Sequence, residues 1–336
     1  MKNRFALLLP LAAALAFSGC KKDKDSNVPA STVAELRAAL VTSPEKFTIS
    51  DPQFSGNEFT TASGIQFYFP PNCLIDLAGN VVTTPVDFEV KSMLGAKDMI
   101  LNNCPTMGPE GLFISGGQFS ITATSEGKAL TINSASRNPW IYVTVPTRLT
   151  GTSRDSSFLI WKGIPTPTGS NTPVTWARVD PINLDTINNS VILSNTATDN
   201  LGTDSLANSS TYNHGFYLTS FNWINLDIYY PITAPKTGIE VKLPAGLTSS
   251  NSLCYIVIRS ANSVAGLYDF NTGTNRFNLG HYQIPVGLQA VAVVISKVGN
   301  QYKYGQTSFT VSENAVIEVS SENKTLEEIK TELNFL

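Results

Sequence analysis

Between Phe47 and Val145 apolar and polar residues alternate with a period of two, which restricts that part of the chain to strands. Ile65, Phe67 and Phe69 alternate with Gln66 and Tyr68. Val86, Phe88 and Val90 alternate with Asp87 and Glu89. Phe119, Ile121 and Ala123 alternate with Ser120 and Thr122, and Ile141, Val143 and Val145 with Tyr142 and Thr144. Successive side chains of a strand point to opposite faces, so this spacing marks strands with one face in a core and one toward water. Asp76-Leu77-Ala78-Gly79-Asn80, Gly116-Gly117 and Glu126-Gly127-Lys128 supply the turns between them. Short strands at such intervals predict an antiparallel sandwich or barrel.

The pattern resumes from Phe216. Ile239, Val241 and Leu243 alternate with Glu240 and Lys242, while Leu253–Ile258 and Val291–Ile295 are nearly unbroken apolar runs. Such runs suit central strands covered on both faces. Between these regions, 151–215 is rich in Thr, Ser, Asn, Asp and Pro. Its apolar islands are Phe158-Leu159-Ile160-Trp161 and Val174-Thr175-Trp176. It reads as a polar connecting region with short strands. At each end a short helix is expected. Thr32-Val33-Ala34-Glu35 and Thr325-Leu326-Glu327-Glu328 have the form of capping boxes. Val33, Leu36 and Leu40 make one apolar face, and Leu326, Ile329 and Leu333 the other. The fold class expected is all-β, two antiparallel β-sandwich domains with short N- and C-terminal helices. The divisions are 1–19 (export signal), 20–46 (tether and helix), 47–150 (first sandwich), 151–215 (connection) and 216–336 (second sandwich and helix).

The first twenty residues carry a different signal. Lys2 and Arg4 precede an apolar run from Phe5 to Phe17, and Ser18 and Gly19 precede Cys20. A positive start, a short apolar core and small residues at its end mark a secretory signal. The run is shorter than the roughly 20 residues of a spanning helix. Phe17-Ser18-Gly19-Cys20 resembles a bacterial lipobox, which implies cleavage before Cys20 and a lipid on its thiol. Two or more acyl chains hold a soluble domain to a bilayer stably, where one does not. The stretch Lys21-Lys22-Asp23-Lys24-Asp25-Ser26 is similar to the charged segment after the lipidated Cys in surface lipoproteins of the Bacteroidota type. The resemblance implies an outer-membrane location, lipid-anchored, and leaves open the periplasmic or the external face. Asp185-Thr186-Ile187 and Asp204-Ser205-Leu206 resemble the O-glycosylation sites of such proteins, which nominates Thr186 and Ser205.

With Cys20 lipidated, Cys73, Cys104 and Cys254 remain, and three thiols cannot all pair. Cys254 lies inside an apolar run and reads as a small buried hydrophobe. Cys73 and Cys104 occupy loop positions at strand ends. A Cys73–Cys104 disulfide, worth roughly 3–4 kcal/mol on the chain-entropy model, and three free thiols both stay open.

Gly64-Ile65-Gln66-Phe67-Tyr68-Phe69-Pro70-Pro71-Asn72 resembles the opening of ZU5-type β-domains. Asp98-Met99-Ile100-Leu101 and Ser115-Gly116-Gly117-Gln118-Phe119 are similar to later pieces of their bacterial relatives. The resemblance covers about a quarter of the chain, from Thr60 to Pro146, and implies a sandwich that serves protein–protein contact. One class of relatives cleaves itself before a Ser that follows Phe, here the Phe119–Ser120 bond. That chemistry needs a general base beside the Ser. Gln118 precedes Phe119, and the two His, His214 and His281, are far off in sequence. Phe119 is therefore expected in the core, with Ser120 facing out.

No catalytic constellation emerges. The sequence has no G-x-S-x-G elbow, no phosphate-binding Gly loop and no H-E-x-x-H. His214 and His281, each beside a Gly, read as loop residues. No metal or cofactor is expected, and the expectation is a non-enzymatic protein. Removing Lys2 and Arg4 with the signal takes the net charge from -3 to -5. This mild acidity, without a basic stripe, excludes nucleic acid as a partner. The partners expected are the membrane, through the anchor, and a protein. The alternative is a glycan held on Trp140, Trp161, Trp176 or Trp223, or on some of the eleven Tyr, beside an outer-membrane transporter. Apolar neighbours make Trp223 a packing residue between the domains.

Overall fold

The computed structural model describes residues 32–53, 56–136, 141–151, 158–164, 173–178, 192–195, 212–218, 220–231, 234–279 and 284–336. Cys20, Thr186, Ser205, Trp140 and His281 lie outside them.

The chain folds into two antiparallel β-sandwiches with short helices. The first has a nine-stranded sheet, whose main path runs Glu45–Ile49, Val86–Met93, Gly111–Ser125, Asn222–Tyr229, Leu159–Ile164, Thr175–Arg178. A five-stranded sheet faces it, in the order Ile192–Asn195, Tyr212–Leu218, Ile141–Pro146, Gln66–Phe69, Asn57–Thr60. The alternating apolar residues meet between these sheets. Phe67, Phe69, Val143 and Phe216 from one side pack on Phe88, Val90, Phe119 and Ile121 from the other. Phe88 is the hub, with Phe67 and Phe69 edge-on at 5.4 and 4.8 Å. Phe119 is fully buried and Ser120 is half-buried on the opposite face, paired with Lys91 and Trp223 in the ladder.

The second sandwich packs a four-stranded sheet, Asp269–Asn271, Arg276–Asn278, Ile239–Lys242, Ala315–Glu318, on a five-stranded one. The latter runs Ser263–Leu267, Ser252–Ile258, Gln289–Val298, Gln301–Thr310, Glu322–Lys324. One pair, Ile239–Lys242 with Ala315–Glu318, is parallel. The two continuous apolar runs are neighbouring inner strands. Cys254, Ile256 and Val294 point into the core of this sandwich, and Leu253, Tyr255, Val257, Val293 and Ile295 point the other way.

That outward face is also covered, and here the expected domain boundaries fail. A third core joins the sandwiches. It takes Leu253, Tyr255, Val257 and Val293 from the second and Met93, Phe113, Trp161 and Trp176 from the outer face of the first. Helix α1 (Val33–Leu40), α2 (Ala96–Leu101) and α3 (Leu326–Glu332) contribute Leu36, Leu40, Met99, Ile100 and Ile329 to it. Region 151–215 is therefore no mere connection: Leu159–Ile164 and Thr175–Arg178 extend the nine-stranded sheet. Nor does the second sandwich begin at 216. Tyr212–Leu218 pairs with Ile141–Pro146, and Asn222–Tyr229 with Gly111–Ser125, both in the first sandwich. The short strands expected around Phe158–Trp161 and Val174–Trp176 form; what the polar composition did not reveal is that they join a sheet begun far upstream. His214 accordingly lies in a strand opposite Val145, and not in a loop. Trp223, part-buried, packs against the shared core as expected.

Backbone hydrogen bonds reinforce the joint. Thr106 N–H donates to Val264 O at 2.8 Å, and Val264 N–H donates to Thr106 Oγ1 at 2.7 Å. Both helix caps form. Glu35 N–H donates to Thr32 Oγ1 at 3.3 Å, and the Thr325–Glu328 box is complete in both directions. Glu35 does not reach back to its cap; its carboxylate pairs with Lys297 at 2.8 Å and fastens α1 to the second sandwich.

The Cys73–Cys104 bridge does not form. Cys73, Cys104 and Cys254 are free, buried thiols, each in a different one of the three cores. The joint core and the first sandwich's core lie on opposite faces of the nine-stranded sheet, which separates Cys104 from Cys73. Burial pushes the Cys73 thiol up to about 12 and those of Cys104 and Cys254 higher still. Such thiols stay protonated and unreactive.

Candidate functional site

The third core closes incompletely at one margin, beside α1, and leaves a pocket of about 410 Å³. Val33 and Arg37 enter it from α1. Four residues apart, they share one helix face, while Leu36 and Leu40 turn into the core. The start of α1 is set by Val33 N–H, which donates to Ser250 O at 2.8 Å. Leu253, Leu267 and Phe277 of the second sandwich form apolar walls, with Pro105 and Met107 from the segment after α2.

The polar groups at this margin are arranged in a chain. The Arg37 guanidinium lies close enough to the Tyr255 phenol for its charge to act on it. Tyr255 Oη donates to Asn103 Oδ1 at 3.2 Å, and Tyr268 Oη donates to the same oxygen at 3.1 Å. Asn103 sits just past α2 with φ +52°, a left-handed position that Asn tolerates better than most residues. Tyr268 folds over Gly266, where an added Cβ would lie 2.2 Å from the phenol oxygen. Glycine there is what lets the ring reach Asn103. Burial pushes the Tyr255 phenol up to about 12, with the neighbouring Arg37 charge acting against it. Tyr255 is thus a neutral donor near neutral pH. Among the described lining residues Arg37 is the single charged side chain.

A second polar group lies deeper, on the outer face of the nine-stranded sheet. A register shift between Asn225 and Asp227 faces Gly116-Gly117 of the neighbouring strand. Gly117 has φ +114°, open to glycine and to few other residues. The irregularity gathers Ser115, Gln118, Asn225 and Asp227, all fully buried. Burial raises the Asp227 carboxyl well above its usual range, although Ser115, Asn225 and the Gly116 N–H hydrogen-bond to it. Asn262 of the second sandwich donates to Leu94 O at 2.9 Å and Ser115 O at 3.0 Å. Trp161 and Trp176 send their indole N–H groups to Asp227 O and Pro105 O, at 3.1 and 2.8 Å. This cluster satisfies backbone groups where the sandwiches meet. It is fully buried, and Gln118 Oε1, Asn225 Oδ1 and Asp227 Oδ1 within it have no hydrogen-bond partner.

Trp161 and Trp176 are therefore core residues, 2% and 3% exposed, and present no stacking face. Among the described residues no three His, Cys, Asp or Glu side chains are placed to hold a metal ion. No described helix is long and apolar enough to cross a membrane. The sequence pointed to none of the pocket's polar residues. Tyr255 reads as part of an apolar run and Asn103 as part of a loop, and no motif singles out Arg37 or Tyr268. They come together only because the two sandwiches share a core. Comparison with protein-family models and with curated proteins finds no match.

Proposed function

We propose that the protein is a lipid-anchored, non-enzymatic component of the cell envelope. In this reading Cys20 carries the lipid at the outer membrane, and the double sandwich, with its ZU5-like first half, is presented for protein binding or envelope organisation. The observation that carries the reading is how the described chain begins. Helix α1 follows residues 21–31 directly. It is fastened by Val33 to Ser250, by Glu35 to Lys297 and by Leu36 and Leu40 to the core that both sandwiches share. A tether of that length spans about 40 Å at full extension. Both sandwiches would then stay close to the membrane as one body, and a partner would meet a single surface.

Burial of Trp161 and Trp176 counts against the glycan alternative, because two of the four Trp are not available for stacking. The test is fractionation followed by capture. The Cys20→Ala chain is expected in the soluble fraction, and its retention in membranes would overturn the anchor. Capture of a protein from native membranes by the anchored chain supports the binding reading. Hits on a glycan array without any protein partner would replace it.

A further inference from the structure

We infer that the buried oxygen cluster between the sandwiches holds a sodium ion, bound by Asp227, Asn225, Gln118 and Ser115. This goes beyond the envelope reading and holds whether or not Cys20 is lipidated. Placement comes first. Ile224 and Leu226 turn into the core of the first sandwich, so Asn225 and Asp227 face away from it, toward the second. Phe119 does the same in the neighbouring strand and leaves Gln118 facing outward. In the ladder Gln118 stands opposite Asn225, and Ser115 opposite Asp227. Four oxygen-bearing side chains thus share one patch, and all four are fully buried. Asn262 and Pro105 close over it. Asn262 donates to Ser115 O at 3.0 Å, while Pro105 O accepts from Trp176 at 2.8 Å and from Gln118 Nε2 at 3.5 Å.

The balance of donors and acceptors calls for a cation. The Gln118 amide nitrogen donates to Pro105 O, and that of Asn225 to Asp227 Oδ2. Gln118 Oε1, Asn225 Oδ1 and Asp227 Oδ1 have no partner. The atoms left over are all acceptors, and one belongs to a carboxylate. None of the ion pairs among the described residues includes Asp227. A proton on Asp227 would serve a second oxygen and leave the third orphaned. A water would offer two hydrogens and leave the charge unmatched. One cation meets the three oxygens and the charge together, and a buried charge is tolerated when it is paired. Ser115 Oγ, which accepts from Gly117 N–H at 3.2 Å, supplies a fourth oxygen. Carboxylate and carbonyl oxygens suit hard ions. Calcium takes about 6–8 oxygens, and magnesium keeps several waters that a closed site does not admit. Either divalent ion would also leave a net positive charge beside a single carboxylate. A monovalent ion balances it, and carbonyl oxygens at irregular backbone are known ligands of sodium.

The test is thermal unfolding of the full chain in sodium chloride and in choline chloride of equal ionic strength, at pH 8, where protons compete least. Choline is too large for the site. Wild type is expected to melt about 2–4 °C higher in about 0.2 M sodium than in choline, and the shift is expected to saturate. In choline an unpaired carboxylate stays buried, so Asp227→Asn is expected to melt above wild type. In sodium that gap narrows, because only wild type gains. Gln118→Leu keeps the carboxylate and removes one neutral oxygen, and it is expected to lose about half of the sodium shift or more. It reports on the site even if Asp227→Asn does not fold. Equal melting of wild type in the two salts would overturn the proposal. So would a full sodium shift in either variant, a shift that rises without saturation to molar salt, or a larger shift from millimolar calcium chloride.

Discussion

Thr106 is the most informative place to perturb the joint between the sandwiches. It is fully buried, and its hydroxyl serves three groups of the second sandwich. It accepts from Val264 N–H at 2.7 Å, shares a hydrogen with Ser263 Oγ at 2.6 Å and lies 3.3 Å from Val264 O. Thr106→Val keeps the shape and removes the oxygen. The Val264 N–H and the Ser263 hydroxyl then lose a partner where water does not reach. A buried polar group left unsatisfied costs about 1–3 kcal/mol, so two of them give about 2–6 kcal/mol. Thr106→Ser keeps the oxygen and loses one methyl group, about 1 kcal/mol. The assay is urea unfolding of wild type and both variants, followed by tryptophan fluorescence and by far-UV circular dichroism. The expected order of stability is wild type, Thr106→Ser, Thr106→Val. The two signals are expected to coincide, because a shared core makes the sandwiches unfold together. A Thr106→Val chain within about 0.5 kcal/mol of wild type, more stable than Thr106→Ser, would refute the reasoning.

Three further outcomes are expected. Gly305→Ala would place a Cβ 2.1 Å from the backbone oxygen of Ser320, which cannot swing aside as a side chain can. A loss of about 1–3 kcal/mol in urea unfolding is expected, and none would show that the crossing is looser than described. Alkylation followed by mass spectrometry should find Cys73, Cys104 and Cys254 all reactive in denaturant without reductant and protected in the native protein; a Cys73–Cys104 cross-link would contradict the three-core arrangement. The raised Asp227 carboxyl gives a pH signature with a definite sign. Its contribution to stability is full below the unfolded value of about 3.9 and is lost as pH rises through the folded one. Asp227→Asn should therefore gain on wild type as pH goes from 4 to 7, and a difference that does not change with pH would exclude a raised folded value.

Alternation determined most of the local structure. Phe67, Phe88, Phe119 and Val143 lie in the core for the reason their spacing announces: a strand of period two has one face to bury. Thr32 and Thr325 cap helices because a hydroxyl just before an apolar-faced turn meets N–H groups that have no other acceptor. The runs Leu253–Ile258 and Val291–Ile295 required cover on both faces, and they have it.

What covers them was decided by tertiary structure alone. A burial pattern records that a side chain leaves water, and not which partner it meets. Gln118 pairs with Asn225 and Trp161 with Arg178 through ladders whose partners carry no complementary signature in the sequence. The polar stretch around these late strands therefore read as a connection, although it completes the first sandwich. Cys73 and Cys104 both read as strand-end residues, and only the sheet between them sets them apart. The pocket is the same case. Arg37, Asn103, Tyr255 and Tyr268 acquire a joint meaning when α1, the turn after α2 and the edge of the second sandwich are brought to one place. Packing does that, through contacts distant in sequence.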